Sequence, residues 1–97
     1  MFGKKISFYE CRDYFLTHIH AIKYDITADT PTCFAVSCVS GSRHIDVTIG
    51  NYKRNKVTID IIDSFGLIRI PKQEAKTIKE FREFIVNDLT KIMSGLN

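Results

Sequence analysis

Residues 33–70, CFAVSCVSGSRHIDVTIGNYKRNKVTIDIIDSFGLIRI, decide the fold of this chain. Apolar and polar side chains alternate in four short runs separated by turn-forming residues, the period-two pattern of half-buried strands. In the first run Phe34, Val36 and Cys38 share a face, and in the second Ile45, Val47 and Ile49 do. The third run offers Val57, Ile59 and Ile61, and the short fourth Ile68 and Ile70. Gly41-Ser42 reads as a two-residue hairpin turn whose Gly-first order favours type II′, pairing Cys38 with Ile45 and Val36 with Val47. A loop over 51–55 sets Val47 against Ile59. A loop over 63–66 sets Ile61 against Ile68 and Ile59 against Ile70. All three hairpins then put the apolar sets on one common face, and a one-residue slip in any of them breaks that agreement.

Helical patterns flank this core. Ser7-Phe8-Tyr9-Glu10 fits a capping box, with Ile6 and Cys11 placed for a hydrophobic staple. Phe8, Cys11, Phe15, Ile19 and Ile22 recur at spacings of three and four, which predicts a helix over 7–23. Residues 24–32 read as the loop leading to the sheet. After Ile70, Pro71 is a plausible first position for the last helix. Its buried stripe would be Ala75, Ile78, Phe81, Ile85, Leu89 and Ile92, with Gly95 as the stop. Thr77-Ile78-Lys79-Glu80 is a second capping-box match and marks a competing start at Thr77. The expected architecture is α+β: helix, four-stranded antiparallel meander, helix, in two layers with both helices on one sheet face.

The totals bound the class. Ninety-seven residues make one domain, large enough for a single core. A formal charge of +3 is too small to argue for nucleic acid unaided. The longest apolar runs fall short of a membrane span. Basic residues at the N-terminus have no long apolar run behind them, so no signal peptide is expected. Three cysteines with no Cys-x-x-Cys spacing argue against a disulfide framework and for a reducing, cytoplasmic setting. The Ile- and Lys-rich, Trp-free composition is a coding bias that carries no chemistry.

The same registers predict the open face of the sheet. One row is Ser37, Asp46, Asp60 and Arg69; the next is Val39, His44, Ile62 and Leu67. Asp46 opposite Asp60 would be a like-charge pair. It reads either as a paired-carboxylate or cation site with His44 nearby, or as a solvated face on which Arg69 balances two acids. A flat sheet has no walls to exclude water, which favours the second reading. Val39, Ile62 and Leu67, with Phe65 in the turn, would make an exposed apolar patch of the kind that marks partner surfaces, unless the 24–32 loop covers it.

Other candidates are weaker. His18 and His20 fall on nearly opposite sides of a helix and lack further ligands, so no metal or cofactor is expected. Cys11 lies on the apolar stripe. Cys33 and Cys38 face opposite ways along one strand and cannot bond each other, and neither has a base and pocket for thiol catalysis. Two basic features remain. Tyr52, Lys53, Arg54 and Lys56 sit at a hairpin tip. Lys72, Lys76 and Lys79 follow at helical spacing, which would suit an anion at a helix N-terminus, or only solubilise it alongside Glu74, Glu80 and Glu83.

The opening Pro71-Lys72-Gln73-Glu74-Ala75-Lys76 resembles that of the last helix of the double-stranded-RNA-binding domain. In that family the corresponding lysines contact phosphates across the major groove, which would make Lys72 and Lys76 phosphate contacts. Four strands in place of three, no Gly-rich turn before the helix and bulky residues from Ile78 to Phe81 depart from the pattern. The layout is also similar to that of small phage-encoded inhibitors of host proteins.

The functional expectation is a non-enzymatic, intracellular protein-binding module, an inhibitor or adaptor encoded by a phage or mobile element. It would use Val39, His44, Asp46, Asp60, Ile62, Phe65, Leu67 and Arg69. A protein partner is favoured over nucleic acid, with no membrane, and a homodimer through a sheet edge or the open face is a further mode. The alternative is a nucleic-acid-binding domain using Tyr52, Lys53, Arg54, Lys56, Lys72 and Lys76.

Overall fold

The computed structural model describes residues 6–19, 23–40, 43–51, 55–63 and 69–89. Helix α1 (Phe8–Ile19) leads into strands β1 (Tyr24–Asp29), β2 (Cys33–Ser40), β3 (Arg43–Gly50), β4 (Val57–Asp63) and β5 (Arg69–Ala75). Helix α2 (Ile78–Phe84) follows, continued by a π-helical turn at Ile85–Leu89. The strands form one antiparallel sheet in the order β1-β2-β3-β4-β5. The class is α+β as expected, but the meander has five strands, not four.

The fifth strand comes from the stretch expected to be a loop. Thr30 turns the chain: its amide donates to the Cys33 carbonyl at 2.8 Å, and its hydroxyl accepts from the Cys33 amide at 3.0 Å. Pro31 in the middle fits this tight turn. β1 therefore folds back beside β2, pairing Tyr24 with Cys38 and Ile26 with Val36 before a bulge shifts the register ahead of Ala28. Helix α1 ends at Ile19, short of Lys23, whose carbonyl instead accepts from the Val39 amide at 3.0 Å. Its start matches the capping box, the Ser7 hydroxyl accepting from the Glu10 amide at 3.3 Å.

The two inner hairpins differ in how well their registers were read. β2 and β3 pair as expected, Val36 with Val47 and Cys38 with Ile45, closing at Ser40 and Arg43 around residues 41–42. The type of that turn lies outside the described residues. β3 and β4 are shifted by two: Val47 faces Ile61, and Ile49 faces Ile59. The connection after Gly50 is longer than expected and includes Asn55 in the left-handed region at φ 61°. Asparagine visits that region at less cost than most residues. A shift by two preserves the faces, so the core set is unchanged.

At the far edge the sequence misleads. Residues 69–75 form β5, which pairs Ile70 with Ile61, Gln73 with Ile59 and Ala75 with Val57. Two residues, Pro71 and Lys72, stand against Asp60 alone, so β5 is bulged there. An edge strand tolerates proline at a bulge because no ladder donor is lost. Helix α2 begins instead at the competing cap. Thr77 accepts from the Glu80 amide at 3.1 Å, and the Glu80 carboxylate reaches back to accept from the Lys76 amide at 3.3 Å.

Both helices lie on the same face. Phe8, Cys11, Phe15 and Ile19 of α1 join Phe81 and Ile85 and the inward residues of β2, β3 and β4 in a single buried cluster. Phe15 meets Phe34 edge-on, ring centres 6.4 Å apart. Arg12 pins α1 to the sheet: its guanidinium lies over Phe34 and Tyr9, at 5.8 and 5.1 Å, and bonds Asp29 of β1 at 3.2 Å. Arg82 of α2 lies over Tyr14 of α1 at 5.3 Å and near Glu10 at 4.0 Å, joining the two helices. Of the expected core set, Ile22, Ile68 and Ile92 lie outside the described residues.

The cap at Thr77 makes a prediction whose sign separates the two starts. Thr77→Ala lowers stability by about 1 kcal/mol in urea unfolding, the usual loss for an N-cap. Were the helix to begin at Pro71, position 77 would be interior and alanine would be neutral or stabilising by a few tenths of a kcal/mol.

Candidate functional site on the open face of the sheet

The face turned away from the helices carries the residues that alternate with the core. Its described rows follow from the registers. One runs Asp25, Ser37, Asp46, Ile62, Arg69 from β1 to β5, and the next runs Ala28, Ala35, Thr48, Asp60. Val39 stands opposite His44, as expected. The two-residue shift between β3 and β4 breaks the rest of the expected rows. Asp46 faces Ile62, and Asp60 faces Thr48, so the like-charge pair does not form and no paired carboxylates are available. Arg69 stands beside Ile62, not Asp60. Val39 and Ile62 are not in one row, so among the described residues the continuous apolar row is corrected to Ile62 with Asp46 opposite it.

Exposure sharpens that picture. Ile62 is 53% exposed, whereas Ile61 on the opposite side is buried. Asp25, His44 and Asp46 are exposed; Ala35, Ser37, Val39, Thr48 and Asp60 are half-buried. The described neighbours of Ile62 on this face are Asp46 opposite it, His44 and Thr48 on either side of Asp46, and Asp60 next along β4. The 24–29 segment does not cover it, because as β1 it extends the sheet sideways. Phe65 and Leu67 lie outside the described residues. Sequence reading missed Asp25 and Ala28, which join this face only once β1 is a strand. It also missed Asp63, assigned to a turn but buried at 3% exposure on the helix side opposite Ile45.

Chemistry on this face is sparse. The Ser37 hydroxyl lies 3.4 Å from His44 Nδ1. Ser37 sits inside a central strand whose amides serve the ladders to β1 and β3, so no donors are aimed where an oxyanion would develop. Among the described residues no three His, Cys, Asp or Glu side chains gather as a metal site. His18 stacks on Tyr14 with ring centres 4.4 Å apart on the exposed side of α1, and His20 lies outside the described residues.

The basic features are also rearranged. Tyr52, Lys53 and Arg54 lie outside the described residues, and Lys56 is half-buried. Lys72 is exposed on the bulge of β5, and Lys76 is exposed just before the cap. Neither sits in the first turn of a helix, which removes the basis of the resemblance to the double-stranded-RNA-binding domain. The Lys76 amide is already taken by the Glu80 carboxylate, the anion that the cap supplies for itself. Comparison with protein-family models, curated proteins and solved structures returns no match. No described helix is long and apolar enough to cross a membrane.

The cysteines divide as their strand positions require. Cys11 and Cys38 are buried, and Cys33 is half-buried on the open face. Burial, with a smaller push from Glu10, raises the Cys11 thiol to about 12. Burial, with a smaller push from Asp46, raises Cys38 to about 11. A raised folded-state value means the unfolded chain ionises first. The stability held by these neutral thiols is therefore full below the ordinary value of 9.0 and is lost as pH climbs toward about 11 and 12. In native buffer at mildly alkaline pH, a thiol reagent should titrate Cys33 quickly and the other two only at the rate of unfolding. Equal rates for all three would contradict the burial. Cys11→Ala/Cys38→Ala should flatten the fall of the urea midpoint above the ordinary thiol value.

Proposed function

We propose that this chain is a small non-enzymatic protein-binding module that acts by surface contact through the open face of its sheet, as an inhibitor or adaptor of a larger protein. The observation that supports this most is Ile62. It is a large apolar side chain left half in water near one end of β4, beside the edge strand, with Asp46 opposite it on β3. An apolar anchor ringed by polar groups that exclude water is how the energetic centre of an interface is built. Catalysis is not favoured, because the Ser37–His44 pair lies on an open surface without donors to stabilise charge.

Among the described residues no geometric feature favours the nucleic-acid reading, whose 52–54 tip lies outside them. It has its own test. Labelled RNA and DNA duplexes titrated at low salt should show no binding; binding that weakens steeply with salt and is lost on charge reversal of Lys53, Arg54 and Lys56 would revive it.

The contact surface is tested by immobilising the wild-type chain, Ile62→Asp and Val86→Asp and comparing what each retains from the host extract. Val86 is equally exposed but lies on the helical side. Both variants should fold, with urea midpoints close to wild type. Ile62→Asp should lose a retained protein that Val86→Asp keeps. Identical sets from all three, or an unfolded Ile62→Asp chain, would contradict the assignment of this face.

A further inference from the structure

β1 ends the sheet, and its ladder to β2 fixes which of its backbone groups are left over. The Val39 amide donates to the Lys23 carbonyl at 3.0 Å, and at the far end Thr30 and Cys33 exchange bonds of 2.8 and 3.4 Å. Opposed residues of an antiparallel pair alternate between bonded and non-bonded positions. Counting from Lys23, Asp25 bonds across to Ser37, whereas Tyr24, opposite Cys38, and Ile26, opposite Val36, do not. Counting back along β2 from Cys33 also makes Val36 and Cys38 non-bonded positions. Tyr24 and Ile26 therefore turn their amides and carbonyls to the free edge, each offering one donor and one acceptor.

The side chains of this stretch carry a pattern of their own. Ile26 lies on the helix side but is 52% exposed, and Tyr24 packs against the core beside it. Lys23 and Asp25 alternate with them and are exposed. The bulge of β1 comes after Ile26, so the stretch before it stays in regular register. At the other edge, Pro71 has no amide to donate and Lys72 is exposed on the bulge. Proline, lysine and bulges blunt an edge against strand pairing, which leaves β1 as the receptive one.

We propose that the 23–26 edge of β1 is a strand-addition site for an extended segment of a partner protein, running antiparallel and reading apolar–basic–apolar–acidic from its N-terminal end. The two apolar residues would exchange backbone bonds with Ile26 and Tyr24 and bring their side chains onto the helix side, covering Ile26. The basic residue between them would stand opposite Asp25, and the acidic residue opposite Lys23, both as favourable cross-strand pairs. A second copy fits the edge less well. Setting Tyr24 of one chain against Ile26 of the other, twice by symmetry, brings Asp25 opposite its own copy. This edge lies three strands away from Ile62 and stands whether or not the open face binds.

The probe is an acetylated, amidated Thr-Val-Lys-Val-Glu-Thr peptide, titrated to about 5 mM because so short a pairing is weak. Amide exchange of the isotope-labelled chain is followed by nuclear magnetic resonance. The Tyr24 and Ile26 amides should exchange fast in the free chain and slow by about fivefold once most of it is bound. N-methylation of both valines, whose amides would face β1, should abolish binding; N-methylation of the lysine and glutamate, whose amides point away, should leave it within about threefold. Exchanging the lysine and glutamate of the peptide should weaken binding about fivefold or more by setting like charges opposite Asp25 and Lys23. Ile26→Lys should weaken it about tenfold, while Val86→Lys, on the helical side, should not. No protection of the two amides by about 5 mM peptide overturns the proposal, as does binding indifferent to valine N-methylation, charge order or Ile26→Lys. Protection that grows with the concentration of the chain alone would assign the edge to a second copy and also overturn it.

Discussion

Period-two alternation on β2, β3 and β4 is the constraint on which the rest of the molecule depends. Phe34, Val36 and Cys38, Ile45, Val47 and Ile49, and Val57, Ile59 and Ile61 all lie on one side and are all buried. Slipping one strand by a single residue would turn three such side chains out to water. At about 1.5–3 kcal/mol each, that loss is of the order of a small domain's entire net stability. One face must therefore be covered, and the amphipathic stripes of α1 and α2 cover it. Phe15 against Phe34 and Phe81 within the same cluster are the contacts through which the helices do so. Arg12 and Arg82 add aromatic and acidic partners at the margins of that layer, fixing α1 to β1 and the helices to each other.

Parity explains why some of this was legible and some was not. Which residues face the core depends only on odd and even positions, so the buried set of β2, β3 and β4 could be read directly. Neighbours across the sheet depend on loop length, and a connection after Gly50 two residues longer than expected moved Asp46 from Asp60 to Ile62 without disturbing one core residue. β1 was hidden because its apolar residues are few and Ile26, although on the helix side, remains exposed at the edge. β5 was hidden because Pro71, Lys72 and Glu74 fit a helix start as well as a bulged edge strand. The capping box at Thr77 was the better local signal. It names both the acceptor and the reaching carboxylate, whereas a proline in a first turn is merely tolerated.

The same constraint shapes the surface. A sheet buried on one side alone must present its other side to something, and water is the default occupant. What marks this open face is an exposed isoleucine with polar side chains, Asp46, His44, Thr48 and Asp60, around it. Such a layout offers little for chemistry, since the face is open and the amides of its central strands serve the ladders. The helical side, by contrast, spends its aromatic and charged groups on internal contacts among Tyr9, Arg12, Tyr14 and Arg82.

The reading of the open face depends on Asp46 and Ile62 being cross-strand neighbours. Nuclear Overhauser contacts between the backbone protons of β3 and β4 report that register without reference to any partner. The account predicts cross-strand contacts linking Asp46 with Ile62 and Thr48 with Asp60. Contacts linking Asp46 with Asp60 instead would contradict it, and would put two carboxylates side by side at the centre of the face.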